Sequence, residues 1–476
     1  MSSEKTKTKI VCTIGPATSS TRTIKRLIEA GMAVARLNFS HGSTVEHAAR
    51  IRSIRKASRD METPIGILVD LPGPKIRVGR VFPEPVLLRE GSLLTLTGRH
   101  LIGNQNVVSI SHSSILTWLK PGDPVYLEDG TVRLKVVKPR NDEIVCRVVM
   151  GGPLYSGKGV NLPERKLTLR AFTPKDIALT LFAVEQGVDF VGVSFATTKE
   201  DIIRAKRLIR SRGAPAWVIA KIEKKQAVNN IDEIVAESDG IMVARGDLGV
   251  EMDVEEIPEL QKKIIEKSNA AGKPVITATQ MLESMVNNPT PTRAEVTDIA
   301  NAIIDGTDAV MLSEETAVGR YPTEAVKVMK RVAAATERSL PYRSILSSRQ
   351  PLPKRELVQD SISFSACAVA YELDAGCIVA HTRTGLTAHR VSKFRSPVPI
   401  IALTYNTAVM NRLSLLWGVY PYQVRRLATT AEIFAAAKRT ASEHGLVNRT
   451  RNRIVVVCGD PSSPRGTTDL LRVQTV

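Results

Sequence analysis

The stretch GIMVARGDLGVEMDVEEIPELQKKIIEKSNAAGKPVITAT, residues 240–279, contains the pattern that decides the fold. It begins with a short apolar run at residues 240–246 and continues as an amphipathic helical pattern at residues 257–271. The helical pattern ends before Gly272, and glycine is common just after a helix. A second apolar run follows at residues 274–279. Two apolar runs joined by one helical pattern indicate a parallel βαβ unit.

The same alternation recurs along much of the chain. Further helical patterns lie at residues 21–30, 175–186 and 293–304, each closed by a glycine. The apolar runs lie at residues 9–15, 34–39, 65–71, 190–195, 217–223, 240–246, 274–279 and 309–313. Eightfold alternation of strand and helix is typical of a (β/α)8 TIM barrel rather than a doubly wound sheet. The sequence therefore predicts a protein of the α/β class.

Two regions interrupt or follow this rhythm. About a hundred residues after the third run carry short strand patterns and the turn dipeptides Pro121–Gly122 and Asp129–Gly130, which predict an inserted β-barrel-like lid domain. A new α/β pattern begins near residue 356. We expect the barrel at residues 1–72 and 169–340, the lid at 73–168, a linker at 341–355 and a C-terminal α/β regulatory domain at 356–476.

Composition limits the classes of function. The chain has 476 residues, 43% hydrophobic and 24% charged, which excludes a disordered protein. Its net charge of +18 favours an anionic partner, which could be nucleic acid, a membrane surface or a phosphorylated metabolite. The charged N-terminus, the lack of a long apolar run and five scattered cysteines predict a cytoplasmic protein without a membrane helix or disulfides.

Polar residues collect at the ends of the predicted strands. The pattern places Arg36, Asn38 and Ser40 on one face of a strand, and Lys221 and Glu223 on one face of another. The other strand-end residues of this kind are Asp70, Asp247, Thr279, Ser313 and Glu315. The carboxyl ends of barrel strands converge on one mouth, where active sites lie.

These residue types fit phosphate chemistry. Two carboxylates suit Mg²⁺ or Mn²⁺, and nearby lysine and arginine suit phosphoryl transfer, in which charge on the moving group must be neutralised. A single lysine or aspartate at a strand end is more often part of a loop salt bridge. The spacing alone leaves a phosphate-handling barrel enzyme and a solvated barrel end about equally favoured.

Long motifs resemble those of the pyruvate kinase family. They are KIVCTIGPAT at residues 9–18, ARLNFSHG at 35–42, AKIEKKQAV at 220–228, GIMVARGDLGVE at 240–251, ITATQMLESM at 276–285, PTRAEVTDIANAIIDGTDAVML at 291–312 and WGVYP at 417–421. The resemblance implies transfer of a phosphoryl group from phosphoenolpyruvate to ADP, giving pyruvate and ATP in glycolysis. It also implies the barrel, lid and C-terminal domain described above, assembled as a homotetramer.

The resemblance also implies roles for individual residues. Lys221 would stabilise the transferring phosphoryl group, Arg36 would bridge phosphates, and Glu223 and Asp247 would hold Mg²⁺ or Mn²⁺. Ala244, Arg245 and Gly246 would seat the substrate carboxylate, while Thr279, Ser313 and Glu315 would serve protonation of the enolate. The nucleotide contacts would be Pro16, Asn38, His41, Arg77 and Lys158, with Asp129 in a lid segment that can reach the site.

The sequence departs from the family pattern after the third run. DTKGPEIR is usual there, and DLPGPKIR stands at residues 70–77, so Leu71 replaces a threonine and Lys75 a glutamate. Members of the family bind K⁺ in this region. The corresponding residues of this chain are Asn38, Ser40, Asp70, Leu71 and Lys75. The Lys75 ammonium can take the place of both the family's glutamate carboxylate and the monovalent cation bound near it. We therefore expect that K⁺ is not required. The alternative is a solvated Lys75 with K⁺ bound by Asn38, Ser40 and Asp70.

Two further departures concern Glu314, which stands where the family usually has glycine, and the SFATT segment, where an arginine is common. Neither removes Lys221 or the two predicted metal ligands. The C-terminal loop TRTGLTAHR resembles a family loop that can bind a phosphorylated allosteric effector. Its candidate residues are Thr382, Thr384, Gly385, Thr387 and Arg465.

Two other functions compete with this interpretation. A phosphoenolpyruvate mutase or lyase would share the barrel mouth, but would not need the lid or the basic residues for a nucleotide. A basic nucleic-acid-binding protein would need aromatic platforms and basic stripes, yet only 4% of the residues are aromatic. We therefore expect phosphoenolpyruvate, ADP or ATP and pyruvate as partners, and no nucleic acid or membrane.

Overall fold

The computed structural model describes residues 6–140, 142–162, 171–349, 357–460 and 467–476. The strands in these ranges are β1 Lys9–Thr13, β2 Met32–Asn38, β3 Gly66–Asp70, β4 Ile76–Arg77, β5 Val86–Leu88, β6 Leu93–Thr97, β7 Val107–Ser109, β8 Pro124–Leu127, β9 Val132–Arg140, β10 Glu143–Met150, β11 Gly152–Leu154, β12 Gly159–Asn161, β13 Phe190–Val193, β14 Trp217–Ile222, β15 Gly240–Ala244, β16 Val275–Ala278, β17 Ala309–Leu312, β18 Cys377–His381, β19 Ile400–Thr404, β20 Val419–Gln423, β21 Arg453–Cys458 and β22 Leu470–Thr475.

The α-helices in the same ranges are α1 Thr21–Ala30, α2 Thr44–Asp60, α3 Pro174–Glu185, α4 Lys199–Ser211, α5 Lys225–Asn229, α6 Ile231–Glu237, α7 Arg245–Glu251, α8 Ile257–Ala270, α9 Arg293–Ile304, α10 Glu314–Ala317, α11 Pro322–Ser339, α12 Tyr342–Ser348, α13 Leu357–Glu372, α14 Leu386–Lys393, α15 Thr407–Leu413 and α16 Thr430–Glu443. Short 3₁₀ segments lie at Pro16–Thr18, Ser113–Trp118, Glu128–Gly130, Val254–Glu256 and Glu283–Val286.

Eight parallel strands close a barrel in the order β1, β17, β16, β15, β14, β13, β3, β2. All eight apolar runs of the sequence supply these strands, so the predicted (β/α)8 barrel is confirmed. Its interior is filled by fully buried apolar side chains, as a packed core requires. They include Val11, Val34, Leu68, Phe190, Ile219, Met242, Ile276 and Met311.

Local sequence explains where many helices begin and end. Ser43, Thr173, Thr292 and Thr429 each form a capping box with the acidic residue three positions later. Such a box satisfies two otherwise unpaired backbone donors at the start of a helix. Gly31 has a φ of +128° and ends α1, as its position after the helical pattern predicts. These local signals explain the starts of four helices and the end of α1.

The inserted segment forms a seven-stranded sheet in the order β4, β12, β8, β9, β10, β6, β7, with a two-stranded sheet of β11 and β5 beside it. A bridge between Val78 and Ile110 joins the two edges, just beyond β4 and β7. The sheet therefore curls toward closure around its own apolar core. The predicted β-barrel-like lid after the third barrel strand is confirmed.

The C-terminal part is a five-stranded sheet in the order β20, β19, β18, β21, β22, parallel except for the last pair. The sequence predicts β18, β19 and β21 but misses β20 and β22. Helix α12 lies within the expected linker at residues 341–355. Residues 350–355 of that linker, and the expected boundary at residue 168, fall outside the described ranges.

The C-terminal part packs against the floor of the barrel. Leu415 is fully buried in the same apolar cluster as the barrel interior. Arg395, which is 5% exposed, donates to Asp308 Oδ1 at 2.7 Å and Oδ2 at 2.9 Å, and to the Gly306 carbonyl at 2.6 Å. Asp308 immediately precedes β17, so a buried ion pair ties the two parts together beneath the mouth.

Candidate active site

The carboxyl ends of the barrel strands bring the predicted polar residues together. Arg36 lies near the end of β2, Asp70 ends β3, and Lys221 lies near the end of β14. Glu223 follows β14, and Thr279 follows β16. Parallel strands in a closed barrel point their carboxyl ends to one side, which explains why residues far apart in the chain share one mouth.

Asp70 joins the two cations of the mouth. Its Oδ2 accepts hydrogen bonds from Arg36 Nε at 2.9 Å and Nη2 at 2.6 Å, and its Oδ1 lies 3.0 Å from Lys221 Nζ. Burial by itself would raise the pKa of this carboxyl, but the charges of Lys221 and Arg36 outweigh it and lower the pKa. Asp70 is therefore an anion that fixes both cations.

Lys221 has two other partners. Its Nζ donates to Ser194 Oγ at 2.8 Å and lies 2.6 Å from Glu223 Oε1. Burial alone would lower the pKa of Lys221, yet the Asp70 and Glu223 carboxylates raise it above the ordinary lysine value. The ammonium is thus kept charged in a buried place, which is what stabilisation of a phosphoryl group requires.

Ser194 is a residue of this site that the sequence reasoning misses. It follows β13, is 3% exposed, accepts from Lys221 and donates to the Leu71 carbonyl at 2.6 Å. Thr13 is a second such residue, because its Oγ1 accepts from Arg36 Nη1 at 2.9 Å. Both residues stand at or just after the end of a barrel strand, which is the same sequence feature that identified Lys221.

Glu223 and Asp247 are the predicted metal ligands. Glu223 is 1% exposed, and its Oε2 accepts from the Phe195 backbone N–H at 2.7 Å. Burial raises the pKa of Glu223 to about 6, and the nearby charges of Asp247 and Asp70 also raise it while Lys221 lowers it. Asp247 lies in the first turn of α7 rather than at the end of a strand.

This donor set fits a hard divalent cation in part. Two neighbouring carboxylates that repel each other would be stabilised by a cation between them, and oxygen is the ligand that Mg²⁺ and Mn²⁺ prefer. Across the described ranges, no group of three or more His, Cys, Asp or Glu side chains is arranged to hold a metal ion. Mg²⁺ commonly takes its remaining ligands from water and from substrate oxygens, so two carboxylates suffice.

Lys75 reaches this carboxylate pair from the segment that leads into the lid. Its Nζ lies 3.0 Å from Asp247 Oδ1, and each of the two side chains is about a quarter exposed, at 24% and 25%. Leu71 is buried and offers no side-chain oxygen. A lysine ammonium is therefore present in the region where the family pattern has a glutamate.

Asn38 and Ser40 complete the predicted monovalent-cation region. The strand β2 ends at Asn38, whose Oδ1 accepts the Ser40 backbone N–H at 3.0 Å. The prediction that Ser40 continues the strand face of Arg36 and Asn38 is therefore wrong, because the chain turns after Asn38. Asn38 uses its side-chain oxygen to hold that turn.

Thr279 lies against the start of α7. Its Oγ1 accepts the Gly246 N–H at 2.8 Å and donates to the Ala278 carbonyl at 2.6 Å. The Arg245 guanidinium donates to Asp298 at 2.7 Å and to the Thr279 carbonyl at 2.7 Å. Thr279 has a φ of +72°, an unusual conformation for a β-branched residue that often marks a functional site. The structure thus joins the Ala244–Gly246 backbone to Thr279.

Ser313 and Glu315 lie on the next strand end. Glu315 is 2% exposed, and its carboxylate accepts the Ser313 N–H at 2.6 Å and the Leu282 N–H at 3.1 Å. Burial raises the pKa of Glu315, although these backbone hydrogen bonds lower it. Glu315 therefore holds two loops of the mouth together, whereas its neighbour Glu314 is exposed.

The predicted nucleotide contacts come from segments that follow the first barrel strands and from the inserted domain. Burial lowers the pKa of His41, and the charges of Arg77, Arg36 and Lys75 lower it further, which places His41 in a basic cluster. Arg77 belongs to β4 and donates to the Gly157 carbonyl at 2.7 Å, and the exposed Lys158 pairs with Glu128 at 3.2 Å. Pro16 is exposed in the 3₁₀ segment after β1.

The lid approaches the barrel near α7. Asp129 lies in the 3₁₀ segment Glu128–Gly130, and a Cβ on Gly130 would stand 3.7 Å from Val250 in α7. The base of the lid also contacts the barrel, because buried Asn161 of β12 donates to Glu251 at 3.4 Å. Glu251 in turn lies 3.4 Å from Lys224.

The predicted effector loop lines a cavity of about 250 Å³ in the C-terminal part. Thr382 Oγ1 accepts the Gly385 N–H at 2.9 Å, and Gly385 has a φ of +98°. Thr382, Thr384 and Thr387 all line this cavity. The sequence reasoning misses Arg426 and Tyr405, which line the same cavity, and Arg465 lies outside the described residues.

Comparisons with known proteins agree over nearly the whole chain. Residues 5–326 match the family model of the pyruvate kinase barrel domain, and residues 360–474 match that of the pyruvate kinase alpha/beta domain. A pyruvate kinase of Geobacillus stearothermophilus is 45% identical over 475 residues, covering 99% of this chain and 81% of the relative. One of Thermococcus litoralis is 46% identical over 419 residues, covering 87% and 88%.

A solved structure agrees as well. The crystal structure of a pyruvate kinase from Cryptosporidium parvum superposes with a TM-score of 0.92 at 37% sequence identity, covering 99% of this chain and 96% of the other.

Proposed function

The chain belongs to the pyruvate kinase family and is a phosphotransferase, and on that premise we propose that it transfers the phosphoryl group of phosphoenolpyruvate to ADP. The products are pyruvate and ATP, in the last step of glycolysis. The observation that carries the proposal is the buried Lys221 ammonium, held at the mouth of the barrel by Asp70, Ser194 and Glu223.

Lys221 and Arg36 supply the fixed positive charge that the moving group requires. During transfer, charge builds up on the oxygens of the phosphoryl group, and a preorganised ammonium stabilises it without rearranging. Arg36 can span two oxygens because its guanidinium is planar and carries several donors. Asp70 keeps both side chains in place, and the Arg36 guanidinium retains further N–H donors that can turn toward substrate.

Members of the family generally use a divalent metal ion, and Glu223 and Asp247 are the residues that would hold Mg²⁺ or Mn²⁺ here. When bound, the ion supplies positive charge beside the substrate carboxylate and phosphate oxygens. The backbone from Ala244 to Gly246 would receive the substrate carboxylate.

Pyruvate forms when the enolate left after phosphoryl transfer gains a proton on carbon. Thr279 and Ser313 are the hydroxyl groups proposed to serve that protonation, directly or through water. Glu315 supports it by fixing the Ser313 and Leu282 backbone on either side.

The basic side chains around His41 suit a nucleoside diphosphate. His41, Arg77 and Lys158, with Asn38 and Pro16, are the proposed contacts. The side chains of Arg77 and Lys158 come from the lid. Lid closure would therefore bring positive charge to the phosphates and exclude water from the transfer.

We expect the reaction to proceed without K⁺. The support is the Lys75 ammonium beside Asp247, together with the apolar Leu71 at the position of the usual threonine. Activity measured in a buffer free of K⁺ and Na⁺ tests this point. A strong rise in rate on adding K⁺ would contradict it.

The C-terminal cavity suits a phosphorylated effector, because threonine hydroxyls and the cations Arg383 and Arg426 line it, beside one carboxylate, that of Asp460. We propose in addition a homotetramer that acts in the cytoplasm. No helix in the described part of the chain is long and apolar enough to cross a bilayer.

The decisive experiment is a lactate-dehydrogenase-coupled assay with phosphoenolpyruvate, ADP and Mg²⁺. Pyruvate formation that requires ADP, with ATP formed in equal amount, is expected. Pyruvate formation without ADP would instead favour a lyase, and tight binding of duplex DNA at physiological salt without phosphotransfer would favour a nucleic-acid-binding protein.

A further inference from the structure

We propose that Lys75 competes with the divalent metal ion for the Asp247 carboxylate, so that the substrate-free protein binds the metal weakly and phosphoenolpyruvate strengthens that binding. The proposal rests on the proposed function for the identities of metal and substrate. It concerns a residue that gates the metal site, and it goes beyond the replacement of a monovalent ion.

The first support is the contact itself. Lys75 Nζ lies 3.0 Å from Asp247 Oδ1, at hydrogen-bonding distance for a charged pair. A metal ion bound through the same oxygen cannot share it with an ammonium at that distance, because the two cations repel. Metal binding through Oδ1 therefore requires Lys75 to leave that oxygen.

The second support is the balance of charge at the mouth. Three carboxylates, those of Asp70, Glu223 and Asp247, face three cations. The cations are Arg36, Lys221 and Lys75. Each of the two predicted metal ligands is thus already paired with a cation, which weakens its attraction for a divalent ion.

The third support is that the pairs differ in accessibility. The side chains of Lys221, Asp70 and Glu223 are at most 10% exposed, whereas those of Lys75 and Asp247 are 24% and 25% exposed. An ion pair contributes less free energy as its exposure to solvent rises, and a fully buried pair is costly to break. The Lys75–Asp247 pair is therefore the one that a ligand opens most readily.

The position of Lys75 supplies the coupling to substrate. It lies between β3 of the barrel and β4 of the lid. When an anionic substrate enters, the released ammonium gains its carboxylate or phosphate oxygens as new partners, so the metal no longer has to compete with Lys75. Because binding linkage is reciprocal, the metal then strengthens substrate binding by the same factor.

Titration of the full-length protein with Mn²⁺, with free Mn²⁺ measured by electron paramagnetic resonance, tests the proposal. Without substrate, Lys75→Met should lower the dissociation constant for Mn²⁺ about tenfold, as expected for removing one charge a few ångströms from a divalent ion. Lys75→Arg should keep the weak binding of the wild type. Lys327→Met is a control for net charge, because Lys327 pairs with Glu324 on the outer helix α11 and is exposed.

Repeating the titration with phosphoenolpyruvate measures the coupling. The ratio of the Mn²⁺ dissociation constants without and with phosphoenolpyruvate should be larger for the wild type than for Lys75→Met. Asp247→Asn should weaken Mn²⁺ binding, and adding Lys75→Met to it should have little further effect.

Equal substrate-free Mn²⁺ affinity in the wild type and Lys75→Met, with both variants folded by circular dichroism, would overturn the proposal. So would an equal gain in Lys327→Met, which would assign the effect to net charge. If the coupled assay shows no phosphotransfer, the proposed function fails, but the substrate-free titrations still decide whether Lys75 competes for Asp247.

Discussion

Oδ1 of Asp70 lies 3.0 Å from Nζ of Lys221, and both side chains are buried at the mouth of the barrel. Asp70 ends one strand and Lys221 lies near the end of another, so the barrel itself sets their distance. A buried carboxylate between two cations keeps those cations charged and fixed. The site is therefore organised before any substrate arrives, which is the condition for electrostatic stabilisation of a transition state.

Replacement of Lys221 by methionine should lower kcat by about a thousandfold or more, since it removes the charge assigned to the moving phosphoryl group. Steady-state kinetics checks this, and circular dichroism should stay close to the wild type. Lys224→Met is the matched control, because Lys224 is three residues away and pairs with Glu251 instead. Turnover retained in Lys221→Met would refute the role of Lys221.

Replacement of Ser194 by alanine should lower kcat about tenfold or more with a smaller effect on KM. The reason is that Ser194 Oγ accepts one of the Lys221 hydrogen bonds and ties it to the Leu71 carbonyl. Ser194→Thr keeps the hydroxyl and should recover part of the rate. If alanine and threonine at this position gave equal kcat, Ser194 would not position Lys221.

Breaking the Arg395–Asp308 ion pair should destabilise the junction between barrel and C-terminal part. Arg395→Met leaves the buried Asp308 carboxylate without this partner, so we expect a loss of about 3–5 kcal/mol in the free energy of unfolding. Urea unfolding of the two single variants and of Arg395→Met with Asp308→Asn checks it. The double variant should lose less than the sum of the single losses, and strict additivity would show that the pair is not coupled.

Acidification should destabilise the protein partly through His381. Burial lowers the pKa of His381 to about 4, with a further contribution from the Arg383 charge, while the unfolded chain has an ordinary histidine pKa of about 6.5. Between these values the unfolded state binds a proton that the folded state excludes, so stability falls as pH falls through this window.

His381→Asn should therefore reduce the loss of unfolding free energy between pH 7 and pH 5 by about 1–2 kcal/mol, after allowance for partial exposure. Urea unfolding at the two pH values measures it. The other histidines remain in the variant and serve as an internal reference. Identical pH dependence in variant and wild type would show that His381 is accessible to protons in the folded state.

Much of the barrel mouth could be predicted from the sequence, because polar residues at the ends of apolar runs are easy to recognise. Lys221, Glu223 and Arg36 stand at the ends of apolar runs, and a closed parallel barrel must bring such ends together. Ser194 has the same position after a strand, but a serine there is also an ordinary turn residue, so the sequence does not single it out. No feature of the sequence indicates which way the Arg245 side chain turns, because that depends on Asp298, which lies on a helix about fifty residues later.

The sequence by itself determined the barrel, the lid after the third strand and the C-terminal α/β part, because hydrophobic periodicity and helix caps are local properties. The tertiary structure alone decided which charges pair: Asp70 with Arg36 and Lys221, Lys75 with Asp247, and Arg395 with Asp308. Pairing depends on distances of a few ångströms between residues remote in the chain. The same dependence on distance pairs each of these carboxylates with a cation in a protein whose net charge is +18.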